Sequence, residues 1–261
     1  MAYHDTIKSR WLLLMSNPQK NYKKIIPFFT SKLIYPRRAL FEFFGNYSFS
    51  KPYRDHDQLM KYFGHIKNGF FVECGGNDGF FQDPTYYLEK KLKWTGIIVE
   101  PLPISNKCRK YRPRSTVYQY AVTSPDHSNT MLDFIDVNAM SVVKNIAKDE
   151  DSWIAAGEKT QRITARHIKV PAQTIQYILD KHFSINPKRN IDLMVLDIEG
   201  YEINALHGLG FKKNSPNHLL IECHTDDHRA EIATLLTQHD YIFVAKIGHI
   251  DYLFSKRVIG K

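Results

Sequence analysis

The chain has 261 residues, 43% hydrophobic and 24% charged, with 13 glycines, 12 prolines and no low-complexity tract. That profile suits one globular domain with an extension and excludes collagen-like, coiled-coil and disordered classes. The net charge of +9 sits in one place: residues 1–54 hold ten Lys/Arg against Asp5 and Glu42, leaving 26 basic and 25 acidic residues elsewhere.

The N-terminal segment also carries twelve aromatics, from Tyr3 and Trp11 through Phe28, Phe29, Phe41, Phe43 and Phe44 to Tyr53, interleaved with the positive charges. Such a segment suits an anionic membrane surface or a phosphate-bearing partner; the plainer reading packs it on the main domain with its lysines in water. The longest apolar runs, such as Trp11 to Met15, are five or six residues, against roughly 20 for a membrane span. No transmembrane helix is expected. Met1 to Lys20 has neither the apolar stretch nor the cleavage site of a secretory signal. Cys74, Cys108 and Cys223 form no CxxC pair, which favours a reducing cytoplasm. A cytoplasmic protein is expected, with residues 1–54 either packed on the domain or in peripheral contact with a membrane.

In chain order, the polar stretch Arg54 to Asp57 separates an extension, 1–57, from a main domain, 58–261. Gly69 to Glu73 reads as a strand. Asp83 reads as an N-cap with Pro84 at the first helical position, opening a helix Thr85 to Trp94 that Gly96 stops. A strand Gly96 to Glu100, a helix at about 103–112 and a strand Thr116 to Ala121 follow. Residues 123–170 give one strand, Thr130 to Ile135, then Asn138-Ala139-Met140-Ser141 and an irregular stretch around Trp153 and Gly157 suited to covering a site. Helices at about 172–183, 201–208 and 228–239 alternate with strands Ile191 to Asp197 and His218 to Glu222. This alternation predicts an α/β fold with a doubly wound, mostly parallel sheet. Tyr241 to Ile247 and Ile250 to Ser255, joined by Gly248-His249, close it with an antiparallel hairpin.

The strongest chemical signal is Glu73-Cys74-Gly75-Gly76-Asn77-Asp78-Gly79, an apolar strand running into a glycine-rich turn. Beyond the carboxyl end of a central strand, glycines admit a ligand close to the backbone and its N–H donors. A dinucleotide fingerprint would need glycine at Cys74. Ile97 to Glu100 ends a second strand in a carboxylate 21 residues after Gly79, the distance at which an acid accepts ribose hydroxyls. Together they predict a nucleoside-type cofactor. Leu193 to Glu202 brings Asp197 and Glu199 to the same rim, where they can orient an ammonium or take a hydroxyl proton. Leu219 to His224 adds Glu222 and His224, an imidazole with the intrinsic pKa of a base near neutrality. Strand-end Asp and His also serve simply as helix caps.

The run ECGGNDG, the following PTYYLEKKLKWTGIIVEP, and LDIEGYE with IECH after it resemble the FkbM family of S-adenosylmethionine-dependent methyltransferases over about residues 58–256. The resemblance implies a class I methyltransferase fold, Rossmann-like, whose sheet ends in an antiparallel hairpin. It implies that Glu73, Gly75, Asn77 and Gly79, with Gly76 and Asp78 in the same loop, line the methionine end of S-adenosyl-L-methionine. Glu100 would bind the ribose, while Pro101, Ala121 and Val122 border the adenine. Relatives often have Ser-Asn-Thr where this chain has Asp83-Pro84-Thr85, which leaves Thr85 as the candidate contact. The implied reaction is O-methylation of a sugar, glycoconjugate or secondary metabolite, with Asp197, Glu199 and His224 as candidate proton acceptors. Asp197 and Glu222 are placed where a metal could be held, but no metal-binding spacing is present and no metal is expected. The acceptor is expected to be a small molecule or glycan. An RNA methyltransferase and a non-catalytic binding module are the alternatives; the neutral catalytic body weighs against nucleic acid.

Overall fold

The computed structural model describes residues 55–257 except 81 and 148, so the expected membrane-contacting segment 1–54 lies outside the described residues. The described chain opens with helix α1, His56–Phe63, whose His56, Leu59 and Phe63 are buried at helical spacing. This helix runs across the expected boundary at residues 57 and 58. Phe63 meets Trp94 edge to face, and the Trp94 indole N–H donates to the Ile66 carbonyl at 2.9 Å.

The strands and helices that follow are β1 (Phe70–Cys74), α2 (Tyr86–Leu92), β2 (Thr95–Val99), α3 (Ser105–Tyr111), β3 (Ser115–Tyr118), β4 (Ala121–Val122), β5 (Thr130–Asp136), β6 (Val142–Val143), α4 (Glu150–Gln161), β7 (Arg166–Gln173), α5 (Ile175–Ile185), β8 (Leu193–Leu196), α6 (Glu202–His207), β9 (His218–Glu222), α7 (Asp226–Thr237), β10 (Tyr241–Ile247) and β11 (Asp251–Lys256). Seven strands form one sheet in the order β10-β11-β9-β8-β1-β2-β3. β3, β2, β1, β8 and β9 run parallel, and β11 pairs antiparallel with both β9 and β10. The doubly wound sheet with its closing hairpin is therefore present.

β1 and β8 are buried along their whole length and, Glu73 apart, apolar, as central parallel strands are when helices cover both faces. Their side chains alternate between two cores. Phe70, Val72, Met194 and Leu196 pack with Ile178 of α5, Leu206 of α6 and Leu236 of α7. Phe71, Leu193 and Val195 pack with Leu59 of α1, Leu88 of α2 and Cys108 of α3.

Several expected boundaries move, each for a local reason. The helix read as Thr85 to Trp94 is Tyr86–Leu92, and Asp83 does not cap it, because its carboxylate is bound by Arg112. Lys93, in a left-handed conformation, ends that helix; Gly96 lies inside β2, opposite Phe71. The strand read as Thr116 to Ala121 is two strands belonging to different sheets. Residues 123–170 are not mainly irregular: β4, β7, β5 and β6 form a second sheet in that order. The stretch around Trp153 is helix α4, which buries only Gly157 fully and so has little apolar periodicity. β7 was missed because Pro171 argues against an interior strand. The next helix starts late, at Ile175, where the Thr174 hydroxyl accepts from the Tyr177 amide. Pairing of Ile247 with Asp251 makes the hairpin loop three residues, 248–250, not two. Among the described residues no helix is long and apolar enough to cross a membrane.

Gly96 gives a direct test of the β1–β2 packing. A Cβ there would lie 2.6 Å from Phe71 ring carbons and from the Phe71 carbonyl oxygen, and Phe71 is fully buried. Gly96→Ala should cost about 1–3 kcal/mol, the range for overpacking, measured by denaturant unfolding. An unchanged unfolding midpoint would refute this packing.

Candidate functional site

The strand order reverses between β1 and β8, and a cavity opens beyond the carboxyl ends there, where doubly wound sheets bind ligands. Gly75 to Asn77 from the β1 turn, Glu100 and Pro101 after β2, Asp197 to Glu199 after β8 and Glu222 of β9 line it. Ala121 and Val122 from the second sheet close one side, with Asn138, Ala139 and Ser141 above.

The glycine turn is held open by backbone geometry. Gly75 has φ 93°, its N–H donates to the Val99 carbonyl at 2.9 Å, and a Cβ there would collide with the Asp197 carbonyl oxygen. Gly79 has φ 76°, and a Cβ would lie 2.9 Å from Cys108 Cα. The Cys108 thiol donates to the Asn77 carbonyl at 2.8 Å. The Glu100 carboxylate then ties two loops together: Asn77 N–H donates to Oε2 and Leu102 N–H to Oε1, both at 2.9 Å. Each of its oxygens keeps a lone pair for a hydroxyl facing the cavity. Burial raises the Glu100 carboxyl to about 7 against those two donors.

Four residues expected to meet the cofactor do not line the cavity: Glu73, Asp78, Gly79 and Thr85. They lie beneath or behind the turn, around the fully buried Arg112. Its guanidinium binds Asp83, reaches Glu89 at 3.0 Å and Glu73 at 3.5 Å, and donates to Thr85 Oγ1 at 2.6 Å. Thr85 donates in turn to Glu73 Oε2 at 2.7 Å. Asp78 Oδ1 accepts from the Phe80 amide. Burial, then the Asp83 charge, raises Glu73 to about 8 despite Arg112. Glu73 thus supports the turn from below. Asp83, in place of Thr85, lines the cavity.

At the opposite rim, His224 Nε2 lies 3.2 Å from Glu199 Oε2 and 3.1 Å from Glu222 Oε2. His224 sits one side chain back from the cavity lining, with the Trp153 ring of α4 edge-on at 5.2 Å. The Glu199 and then the Glu222 carboxylate, as acceptors for the imidazole N–H, raise His224 to about 10. Burial raises Glu199 to about 7. Burial and then the charges of Glu222, Glu199 and Asp251 push Asp197 well above the ordinary carboxylate range. Glu199 itself has φ 58°, a left-handed backbone that costs a non-glycine residue about 1–3 kcal/mol. Ligand atoms of Glu199, Glu222 and His224 all lie within 4.8 Å of one another, a grouping a divalent cation can use.

The sequence reading missed Asp55 and Asp251, which also line the cavity. Neither carried a signal, since both reach the rim only through the folding of α1 and of the hairpin loop. With them, seven carboxylates face the cavity: Asp55, Asp83, Glu100, Asp197, Glu199, Glu222 and Asp251. Among the described residues no lysine or arginine lines it.

Residues 73–243, more than half of the chain, match the methyltransferase FkbM domain. No curated protein sequence matches. Similar solved structures include a SAM-dependent methyltransferase from Aquifex aeolicus, at TM-score 0.41 and 11% identity, covering 78% of this chain and 90% of that one. A precorrin-6y C5,15-methyltransferase from Geobacter metallireducens gives TM-score 0.39 and 8% identity, over 76% and 83%. A putative rRNA-methylase from Clostridium thermocellum gives 0.41 and 9%, over 79% and 96%.

The raised carboxyls fix the sign of a pH dependence. Glu73 at about 8, and Glu100, Glu199 and Glu202 at about 7, hold protons in the folded state that the unfolded chain has released above an ordinary 4.5. His224, raised from 6.5 to about 10, acts in the same direction, its contribution fading as pH rises to 10. Stability of the ligand-free protein should therefore fall as pH rises from 5 to 9. Melting temperatures across that range test it, and a rise would contradict the burial of these acids.

Proposed function

The chain belongs to the FkbM family of S-adenosylmethionine-dependent methyltransferases, and from that premise we propose that it methylates a hydroxyl oxygen of an uncharged sugar, glycoconjugate or secondary metabolite. The observation that carries the reading is the cavity lining: seven carboxylates and no lysine or arginine among the described residues. Such a field favours a cationic cofactor and repels phosphate, carboxylate and sulfate groups. It supports a neutral acceptor over RNA.

S-adenosylmethionine supplies a methyl group already activated on a sulfonium. The protein's task is then alignment and removal of one proton. Gly75 and Gly76 let the backbone approach the methionine portion, Glu100 receives the ribose hydroxyls, and Pro101, Ala121 and Val122 border the base. Asp197, buried at the end of β8, receives the ammonium. When bound, the cofactor would supply its methyl carbon to the acceptor oxygen and leave as the neutral thioether, and Glu199 would take the hydroxyl proton. Its carboxyl, raised to about 7, matches a base working near neutrality. His224, held between two carboxylates, stays protonated at that pH and steadies the Glu199 charge instead of acting as the base.

For the basic aromatic segment 1–54 we keep the reading of contact with an anionic lipid surface, supported by its ten Lys/Arg and twelve aromatics. Binding of the full chain to anionic vesicles should weaken as salt rises; binding indifferent to salt would discard it.

Two substitutions separate cofactor binding from chemistry. Glu100→Ala should weaken S-adenosylmethionine binding by about 1.5–3 kcal/mol, the scale of charge-assisted hydrogen bonds, read by calorimetric titration; wild-type affinity would remove Glu100 from the ribose. Glu199→Gln should lower kcat about 10²–10⁴-fold with cofactor affinity unchanged. If turnover on a glycan that the wild-type protein methylates persists at the wild-type rate, Glu199 is not the base.

A further inference from the structure

Glu202 carries an interaction that none of these roles uses. Its side chain is fully buried. One oxygen, Oε1, accepts two backbone N–H bonds, from Ile198 at 3.0 Å and Gly200 at 3.2 Å. These are the amides on either side of Glu199. Glu199 at φ 58° and Gly200 at φ 94° form a left-handed turn that a glutamate does not adopt unaided. The other oxygen, Oε2, faces His228 Nε2 of α7 at 3.4 Å, and neither atom has a hydrogen-bond partner although both are buried.

We propose that Glu202 is a positioning residue: it pins the Ile198–Gly200 turn so that the Glu199 carboxylate meets His224 at the cavity rim. Without the Oε1 acceptor, both amides lose their partner and the turn relaxes toward ordinary backbone. The Glu199 carboxylate then swings away from His224. A single proton between Glu202 Oε2 and His228 Nε2 pairs both of the remaining buried atoms. The environment agrees with that proton: burial raises Glu202 to about 7, while burial and the nearby His224 lower His228 and keep it neutral as an acceptor. His228 thereby backs Glu202 from α7 as Glu202 backs the turn from α6.

The inference rests on the reading of Glu199 and His224 as acceptor-side groups, but its test needs no acceptor, so the two can fail separately. The groups facing His224 are Glu199 from the loop after β8, Glu222 from β9, His228 from α7 and the Trp153 ring from α4. The imidazole titration of His224 therefore reports the Glu199 contact directly. It is read by NMR on histidine-labelled full-length protein and assigned with His224→Gln. Glu202→Ala removes the acceptor, and Glu202→Asp keeps the charge but shortens its reach. In either, the His224 midpoint should fall by one unit or more, about a tenfold loss of its preference for the protonated form. Glu202→Gln keeps an amide oxygen for the two N–H donors and should restore most of the midpoint. A folded Glu202→Ala or Glu202→Asp protein in which His224 titrates as in the wild type overturns the proposal. Should neither fold, the wild-type protein decides: the Ile198 and Gly200 amide shifts must follow the Glu202 carboxyl titration, and amides indifferent to it overturn the proposal equally.

Discussion

Carboxylates crowded around a cavity at one edge of a parallel sheet, with no lysine or arginine among the described residues lining it, are the constraint on which the architecture of this site depends. Burying one unpaired carboxylate is costly, and several together more so. The fold meets that cost in three ways. Backbone N–H groups and a buried guanidinium hold some of the acids, an imidazole bridges two more, and burial leaves others partly protonated. Each device also places a group for chemistry, since a carboxyl held near neutrality is poised either to accept a proton or to receive a cation.

The two sides of the cavity use the devices differently. On one side Arg112 lies below the glycine turn, and its pairing with Glu73, Asp83 and Glu89 anchors β1, the segment before α2 and α2 itself to α3. The turn above it contributes backbone and space, because side chains at Gly75 or Gly79 would strike Asp197 or Cys108. At the opposite rim, among the described residues, no arginine enters, and Glu199 and Glu222 hold His224, with Glu202 behind them. The glycine-turn side is thus locked by an internal ion cluster, while the opposite rim is held by carboxylates around an imidazole.

How much of this was legible in the sequence follows the range of each interaction. The parallel strands announced themselves through continuous apolar runs, and Glu100, Asp197 and Glu199 through their place at strand ends; all three line the cavity. The second sheet did not, because β4 and β6 are two residues each and β7 contains Pro171. The family resemblance implies a cofactor contact for Glu73, but Arg112, 39 residues away, takes its carboxylate. No local pattern marks Arg112 as buried, nor Asp55 and Asp251 as rim residues, because their positions follow from how α1, α3 and the hairpin pack.

The central claim is that the cavity's acids hold protons until a cation replaces them. Calorimetric titration of S-adenosylmethionine at pH 6.5, repeated in buffers of different ionisation enthalpy, counts the protons exchanged on binding. At that pH the cofactor's own amine, with an ordinary pKa of about 7.7–8.0, is already charged and contributes little. Net proton release is expected, as Glu100, Asp197 and Glu199 ionise against the sulfonium, the ammonium and the ribose hydroxyls. Binding with no proton exchange, or with uptake, would contradict it.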